Sequence, residues 1–566
     1  MALRWIPFDG WPSRDSPSTD SPSRAVSPLG GWPTLSGVLA RVRSAAVHGI
    51  EAYPVDVEVD VGRGLPAFHI VGLPDPAVQE ARERVRAAIR NAGYDVPPRR
   101  ITVNLAPADL HKAGSSFDLP MAVGVLMATG QARLRRIEET MLLGELSLDG
   151  TLRAVTGTLP VALAAVRGGM ASLIVPEPNG AEAAVVEGLR VHAARTLGQV
   201  LGHLADVDAL PPRPTPPFDP TPGVEDDVDF RDLKGQLAAR RALEVAAAGG
   251  HNLLLIGPPG TGKTMLARRL PTILPPLTWS EAIEVTQIYS AAGLLREPSG
   301  LLRRRPFRSP HHTASSGAMV GGGVLPRPGE VTLAHRGVLF LDELPEFHRD
   351  VLEVLRQPLE DRVVTVARVQ STVVFPAAFM LVAAMNPCPC GYRGDAQREC
   401  LCTPLQLTRY LTRISGPLLD RIDLHVEVPR IAAAELTSYP AGDSSTQIRA
   451  RVVRARAIQR ERLHADRVHR AEQRDRREGE GSGAAAVCNA ELSPRQMRRC
   501  CRLGKEEETF LRGAIERLGL SARAHDRVLR VARTIADLED RDAIGAAHLA
   551  EAIQYRLFDR PHRPEA

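Results

Sequence analysis

The residues of this 566-residue chain that read most directly as chemistry are GPPGTGKT at 257–264. Gly257 and Gly262 bracket Pro258, Pro259, Gly260 and Thr261, and Lys263 and Thr264 follow, which is the spacing of a phosphate loop. Glycines let backbone N–H groups turn inward around an anion at a helix N-terminus. Lys263 would neutralise the β- and γ-phosphates of ATP, and the Thr264 hydroxyl would hold Mg²⁺. The chain has lysine only at 112, 234, 263 and 505, which argues against a chance match.

Two further segments supply what hydrolysis needs. GVLFLDEL (337–344) is an apolar strand ending in two acids. Asp342 would reach Mg²⁺, and Glu343 would polarise the attacking water. FMLVAAMNP (379–387) ends in Asn386, which would orient that water; read alone, Asn386 equally fits a turn cap before Pro387. In LLDRIDLHVEVP (418–429), Arg421 follows a short helix, a place from which an arginine finger enters a neighbouring subunit's site. The competing reading of Arg421 is a surface ion pair with Asp420 or Asp423. CPCGYRGDAQRECLC (388–402) places nine residues between the pair Cys388 and Cys390 and the pair Cys400 and Cys402. Four thiolates on two tight turns can surround Zn²⁺. Reduced thiols and an iron–sulfur cluster are the alternatives. Cys488, Cys500 and Cys501 read as packing residues.

These groups need a scaffold. Residues 1–36, rich in Ser, Pro and Trp, read as a disordered extension or as an upstream start codon. Within a front block at 38–208, VDVEVDV (55–61) alternates as a strand, 76–93 has helical period and ITVNLAP (101–107) reads as a strand. PPRPTPPFDPTP (211–222), with seven prolines in twelve residues, marks a linker over 209–228. The segment 229–430 carries the nucleotide motifs, and 431–566 reads as a helical block broken by a loop at 474–486. With 44% hydrophobic and 24% charged residues the chain reads as a soluble protein of two to four domains. No signal peptide and no long apolar run is seen, so the expectation is a cytoplasmic protein without membrane contact. The net charge of +5, made mostly by arginine, permits a nucleic-acid partner without requiring one.

The order of motifs resembles an AAA+ ATPase. RPFRSPHHTASSGAMVGGG (305–323), PRPGEVTLAHRGVLFLDELPEF (326–347), LRQPLEDR (355–362), NPCPCGY (386–392) and LSARAHDRVLRVARTIADL (520–538) resemble the magnesium-chelatase-like YifB/ComM group, over roughly Val38 to Leu557. The resemblance implies an α/β fold: a P-loop core with a parallel sheet and helices on both faces, plus a helical lid. It also implies a homo-hexameric ATP-driven motor acting on single-stranded or branched DNA, by helicase action or branch migration in natural transformation or recombination, with recombination proteins as further partners. Arg421 matches the finger position, and Arg523, in Ser-Ala-Arg, the second sensor arginine of the lid. Arg527, Arg530 and Arg533 follow at helical spacing and leave that match open by one turn, as well as whether it acts in its own subunit. DRVVTVARVQSTVVF (361–375) reads as two strands around a turn near Arg368. In this branch of AAA+ proteins such a hairpin enters the ring's pore, where Arg368 would contact DNA phosphates. The stretch from Lys263 to Asp342 is long enough for an inserted element, and its His311 and His312 receive no role.

The front block resembles the proteolytic domain of Lon, an α+β fold of the ribosomal S5 domain 2 type, here of the ChlI kind. HKAGSSFDLPMA (111–122), GELSLDGTLRAVTGTLPVALAA (144–165) and RGGMASLIVPEPN (167–179) carry that likeness. Ser116 falls at the nucleophile, but Leu159 occupies the lysine position, and no lysine lies between 113 and 233. A serine without a base is not activated. Lys112 is on the wrong segment, so the domain is expected to be non-catalytic. The competing functions are a chelatase-type ATPase that remodels a protein partner and, disfavoured by Leu159, a Lon-like ATP-dependent protease.

Overall fold

The computed structural model describes residues 39–220, 228–296, 300–323, 326–367, 372–395, 397–431, 442–474 and 487–556. The 1–36 extension, the hairpin tip with Arg368 and nearly all of the loop at 474–486 lie outside the described residues.

The front block is built on a seven-stranded mixed sheet. β1 (Ala40–His48) and β2 (Glu51–Gly62) form an antiparallel hairpin. β3 (Ala67–Val71) is followed by α1 (Pro76–Asn91), β4 (Arg100–Ala106), α2 (Asp118–Ala128), β5 (Thr140–Leu142), α3 (Thr158–Arg167), β6 (Ser172–Pro176) and β7 (Arg190–Ala194). The strand order is β3-β4-β2-β1-β5-β6-β7. The alternation read in 55–61 is the observed one: Val55, Val57, Val59 and Val61 point into one core. α1 starts where the Asp75 carboxylate accepts from Val78 N at 2.7 Å and Pro76 pre-sets the first turn. It buries Val78, Ala81, Val85, Ala88 and Ile89 at helical spacing. α2 packs with it, while Leu159 of α3 lies in a separate cluster with Ala45, Met141 and Leu173.

The second block holds α4 (Leu237–Gly249), β8 (Leu253–Ile256), α5 (Lys263–Ile273), α6 (Trp279–Ala291), β9 (Phe307–Arg308), β10 (Val338–Leu341), β11 (Val363–Ala367), β12 (Thr372–Pro376), β13 (Met380–Met385) and β14 (Leu424–Glu427). β9-β10-β13-β8-β14 is a five-stranded sheet, parallel throughout. Its strands are apolar on both faces because both are covered. Leu253, Leu255, Phe340 and Val382 pack toward α4, α5 and the lid; Leu254, Ile256, Leu341 and Ala383 pack toward the β11–β12 hairpin and residues 344–355. The hairpin pairs Val363 with Pro376 through Ala367 with Thr372.

The lid comprises α7 (Ser445–Arg474), α8 (Lys505–Leu518), α9 (Ala522–Leu538) and α10 (Ala546–Gln554), with shorter turns between. A buried chain fastens it to the amino edge of the sheet. His251 Nε2 and Thr534 Oγ1 are 2.8 Å apart, His251 Nδ1 lies 3.3 Å from Asp423, and Arg527 lies 3.5 Å from Asp423. Burial opposes charge on Asp423, but His251 and Arg527 outweigh it and hold the carboxyl at about 2.

The inserted element between Lys263 and Asp342 includes α6, and the front block docks on it. Gly157 N donates to Ser290 O at 3.1 Å and Gln287 Nε2 to Ile50 O at 2.7 Å, while within the front block Leu159 N donates to Glu182 Oε1 at 2.9 Å. The Ser290 hydroxyl donates to the same buried Glu182 carboxylate. Leu159 shares its cluster with Leu277, Ala282 and Leu301 of the second block. The β1–β2 turn reaches further: a Cβ on Gly49 would stand 2.6 Å from Val373 of the hairpin.

Candidate functional site

Because the sheet is parallel, β8, β10 and β13 all end on one edge: Ile256 is level with Met385, and Leu341 with Ala383. Ligands of open parallel sheets collect at that carboxyl edge. β8 runs directly into the turn 257–262. A Cβ on Gly257 would lie 2.1 Å from Val428 O, so only glycine fits there. Gly260 and Gly262 hold φ of 80° and 89°, a region closed to most side chains. Thr261 Oγ1 donates to Pro258 O at 3.0 Å, Pro259 and Gly260 are exposed, and Gly262 caps α5.

Around this turn the predicted groups converge. The buried Lys263 ammonium donates to Gly257 O at 2.7 Å, Pro258 O at 2.9 Å and Asn386 Oδ1 at 3.1 Å. Burial lowers its pKa, and the nearby Asp342 and Glu343 charges act in the opposite direction. Thr264 Oγ1 donates to Asp342 Oδ2 at 2.7 Å, and Asp342 Oδ1 accepts from Glu343 N at 3.0 Å. A hydroxyl beside a carboxylate is an oxygen donor set that fits Mg²⁺. Glu343 has φ of 53°, an uncommon conformation for its type of residue. Its carboxylate is 56% exposed, free to meet a water, and lies 3.4 Å from His312 Nδ1.

Arg421 and Arg523 stand apart from this group. Asn252, just before β8, donates through Nδ2 to Arg421 O at 2.9 Å, which puts Arg421 at the amino edge of the sheet. Its guanidinium bonds Pro417 O at 2.5 Å and pairs with Glu360, not with Asp420 or Asp423. Arg523 is 69% exposed and pairs with Asp420 at 3.2 Å, so both arginines share one patch. The three later lid arginines are committed elsewhere: Arg527 to Asp423, Arg530 to Leu492 O at 2.8 Å, and the buried Arg533 to Asp537 at 3.0 Å.

The four cysteines also converge. Sγ of Cys388, Cys390, Cys400 and Cys402 all lie within 4.8 Å of one another. This group sits just past Asn386, two residues along the chain.

Three family matches tile the chain: "Subunit ChlI of Mg-chelatase" at 57–179, "Magnesium chelatase, subunit ChlI" at 229–436, and its C-terminal part at 442–556. The chain is 44% identical over 524 residues to the uncharacterized protein YifB of Escherichia coli, covering 92% of this chain and 98% of YifB. It is also 44% identical over 528 residues to the competence protein ComM of Haemophilus influenzae, with the same coverage. The chain belongs to the YifB/ComM family of magnesium-chelatase-like AAA+ ATPases. It also has 30% identity over 145 residues, 24% of this chain and 25% of the relative, with Lon protease 2 of Bacillus subtilis.

In this YifB/ComM chain no lysine lies between 113 and 233 to pair with Ser116. Lys112 is fully buried, and its ammonium donates to Pro107 O. Burial lowers its pKa. Ser116 precedes α2, whose residues pack with α1, whereas Leu159 is enclosed in the cluster shared with α6. Two features of the YifB/ComM site escaped the sequence reading. His312 reaches Glu343 because β9 lies beside β10, and the signal for it was the His311-His312 pair itself. The Glu182–Ser290 contact joins residues 108 apart and left no local signal.

Proposed function

We propose that this chain is an ATP-driven motor on DNA that works as a ring of six copies in the cytosol. Thr264 and Asp342 would hold Mg²⁺, Lys263 would move from its carbonyl partners to the β- and γ-phosphates, and Glu343 would take the proton of the attacking water that Asn386 orients. Arg421 and Arg523 complete a neighbour's site. The observation that carries the ring is their place at the amino edge of the sheet, while the phosphate loop lies at the carboxyl edge. β8 alone spans four residues, about 13 Å, so neither arginine serves its own phosphate loop. A repeated head-to-tail contact of this kind builds a ring when its rotation closes.

The DNA part of the reading follows the family resemblance, with branch migration or helicase action in transformation or recombination as the activity. Two strands lead to Arg368, whose charge suits phosphate contacts. Recombination proteins are the partners this activity calls for. Zn²⁺ is the ion we assign to the four cysteines, a tetrathiolate set that zinc prefers. The front block is a docking module without peptidase chemistry. The test is migration of a synthetic four-way junction by purified protein with ATP and Mg²⁺. If the protein binds no DNA at low salt, the motor reading falls and chelatase-type remodelling of a protein partner replaces it.

A further inference from the structure

The segment 388–402 has little apolar material of its own. Leu401 is 84% exposed, and Tyr392 is occupied by Arg398, which donates to its hydroxyl at 2.7 Å and lies over its ring. What holds the segment together is its sulfurs. Cys388 and Cys390 Sγ are 3.3 Å apart, Cys390 and Cys400 3.6 Å, and Cys400 and Cys388 3.7 Å. Four thiolates at the usual Zn–S length form a tetrahedron with edges of about 3.8 Å. A multi-iron cluster holds its cysteines farther apart. Arg393 N points at Cys388 Sγ at 3.4 Å, and Gly391 N donates to Cys388 O at 3.0 Å, the kind of backbone support that orients thiolate ligands. Asp395 ties the other side of the loop to Arg430, past β14, at 3.2 Å.

The apex of this loop rests on the nucleotide site. Gly391, with φ of 86°, is so close to the phosphate loop that an added Cβ would lie 2.8 Å from Pro259 Cδ and 3.9 Å from Asn386 Cγ. Asn386 in turn holds the Lys263 ammonium. The backbone of the cysteine loop therefore touches the phosphate loop and Asn386, and the four sulfurs hold the two ends of that loop together.

We propose that the zinc site is a strut of the nucleotide pocket: by clamping residues 388–402, the ion holds Gly391 against Pro259 and Asn386, and so sets the geometry in which ATP is bound. This rests on the assignment of zinc to the four cysteines and of the phosphate loop to ATP, and the two can fail separately. The experiment uses the full-length protein purified without a metal-binding tag. Three quantities are read: zinc by elemental analysis, the visible bands of the Co²⁺-substituted protein, and the equilibrium Kd of a fluorescent ATP analogue with Mg²⁺. Wild-type protein should carry about one zinc per chain and show the intense bands of a tetrahedral cobalt tetrathiolate. Cys400→Ser/Cys402→Ser should lose the metal and bind the nucleotide at least tenfold more weakly. Gly391→Ala keeps all four ligands. It should keep the zinc and still lose at least tenfold in nucleotide affinity, because the new methyl displaces Pro259. Zinc-free wild-type protein, or iron in its place, would overturn the zinc assignment. Zinc loss in the double variant with unchanged Kd, or wild-type Kd in zinc-loaded Gly391→Ala, would overturn the strut while leaving the metal site standing.

Discussion

Arg421 gives the sharpest test of the subunit arrangement. Its carbonyl is fixed by Asn252 at the start of β8, and Lys263 follows the turn at the far end of the same strand. The strand's rise of about 13 Å, together with the turn beyond it, exceeds the reach of one arginine side chain. Within one chain, therefore, Arg421 does not reach the phosphate loop. If it acts as a finger, its loss removes stabilisation only from a neighbour's transition state, a factor of roughly 10³–10⁵ in rate, or about 4–7 kcal/mol. Arg421→Ala and Lys263→Ala proteins should each be nearly inactive. Mixed in equal amounts and allowed to exchange, they form interfaces in which an intact phosphate loop faces an intact arginine. Random assembly around head-to-tail contacts makes that about a quarter of all interfaces. The mixture should regain up to about a quarter of wild-type ATPase, measured by phosphate release, and less if the sites fire cooperatively. Mixed assemblies demonstrated by native mass spectrometry, yet without any rescue, would refute the reasoning and leave Arg421 as the structural partner of Glu360.

Other outcomes follow from the same geometry. Lys263→Ala should weaken binding of a fluorescent ATP analogue at least tenfold, whereas Glu343→Gln should bind it normally and hydrolyse roughly a hundredfold more slowly, since only proton acceptance is lost; similar near-normal turnover in both variants would contradict the assignment. Asp423 is held at about 2 against an ordinary 3.8, so its ionisation contributes about 2 kcal/mol, present above pH 4 and lost as the pH falls toward 2. Asp423→Asn should therefore lower stability in urea melts at pH 7 by about that amount, and the gap from wild type should narrow below pH 4. Peptide substrates should not be cleaved, and Ser116→Ala should change nothing in that assay; a Ser116-dependent peptidase would promote Lys112 to base. DNA affinity should fall steeply with added salt and depend little on sequence, and Arg368→Ala should reduce DNA-stimulated ATPase while leaving the nucleotide Kd intact.

The parts of the site that sequence made legible are those in which a short apolar strand hands its end to a polar group. Gly257–Thr264, Asp342-Glu343 and Asn386 each follow such a strand, and parallel register alone then brings them to one edge. What stayed hidden depends on strand order. His312 meets Glu343 because β9 neighbours β10, and Arg421 is removed from its own phosphate loop because β14 starts where β8 starts. The front block carries the same lesson into function. From sequence, Leu159 was an absence, a missing lysine. In the fold it is a presence: its side chain is buried with Leu277 and Ala282 of the ATPase block, and its backbone N–H donates to Glu182, which also takes the Ser290 hydroxyl. An ammonium group there would have to be buried within an apolar contact between domains, at a cost of several kcal/mol unless paired. The place where a Lon-like domain would keep its base is here the place that grips α6. Motion of α6 during a nucleotide cycle would thus pass to the front sheet and, through Gly49 and Val373, to the end of the hairpin strands that leads to Arg368.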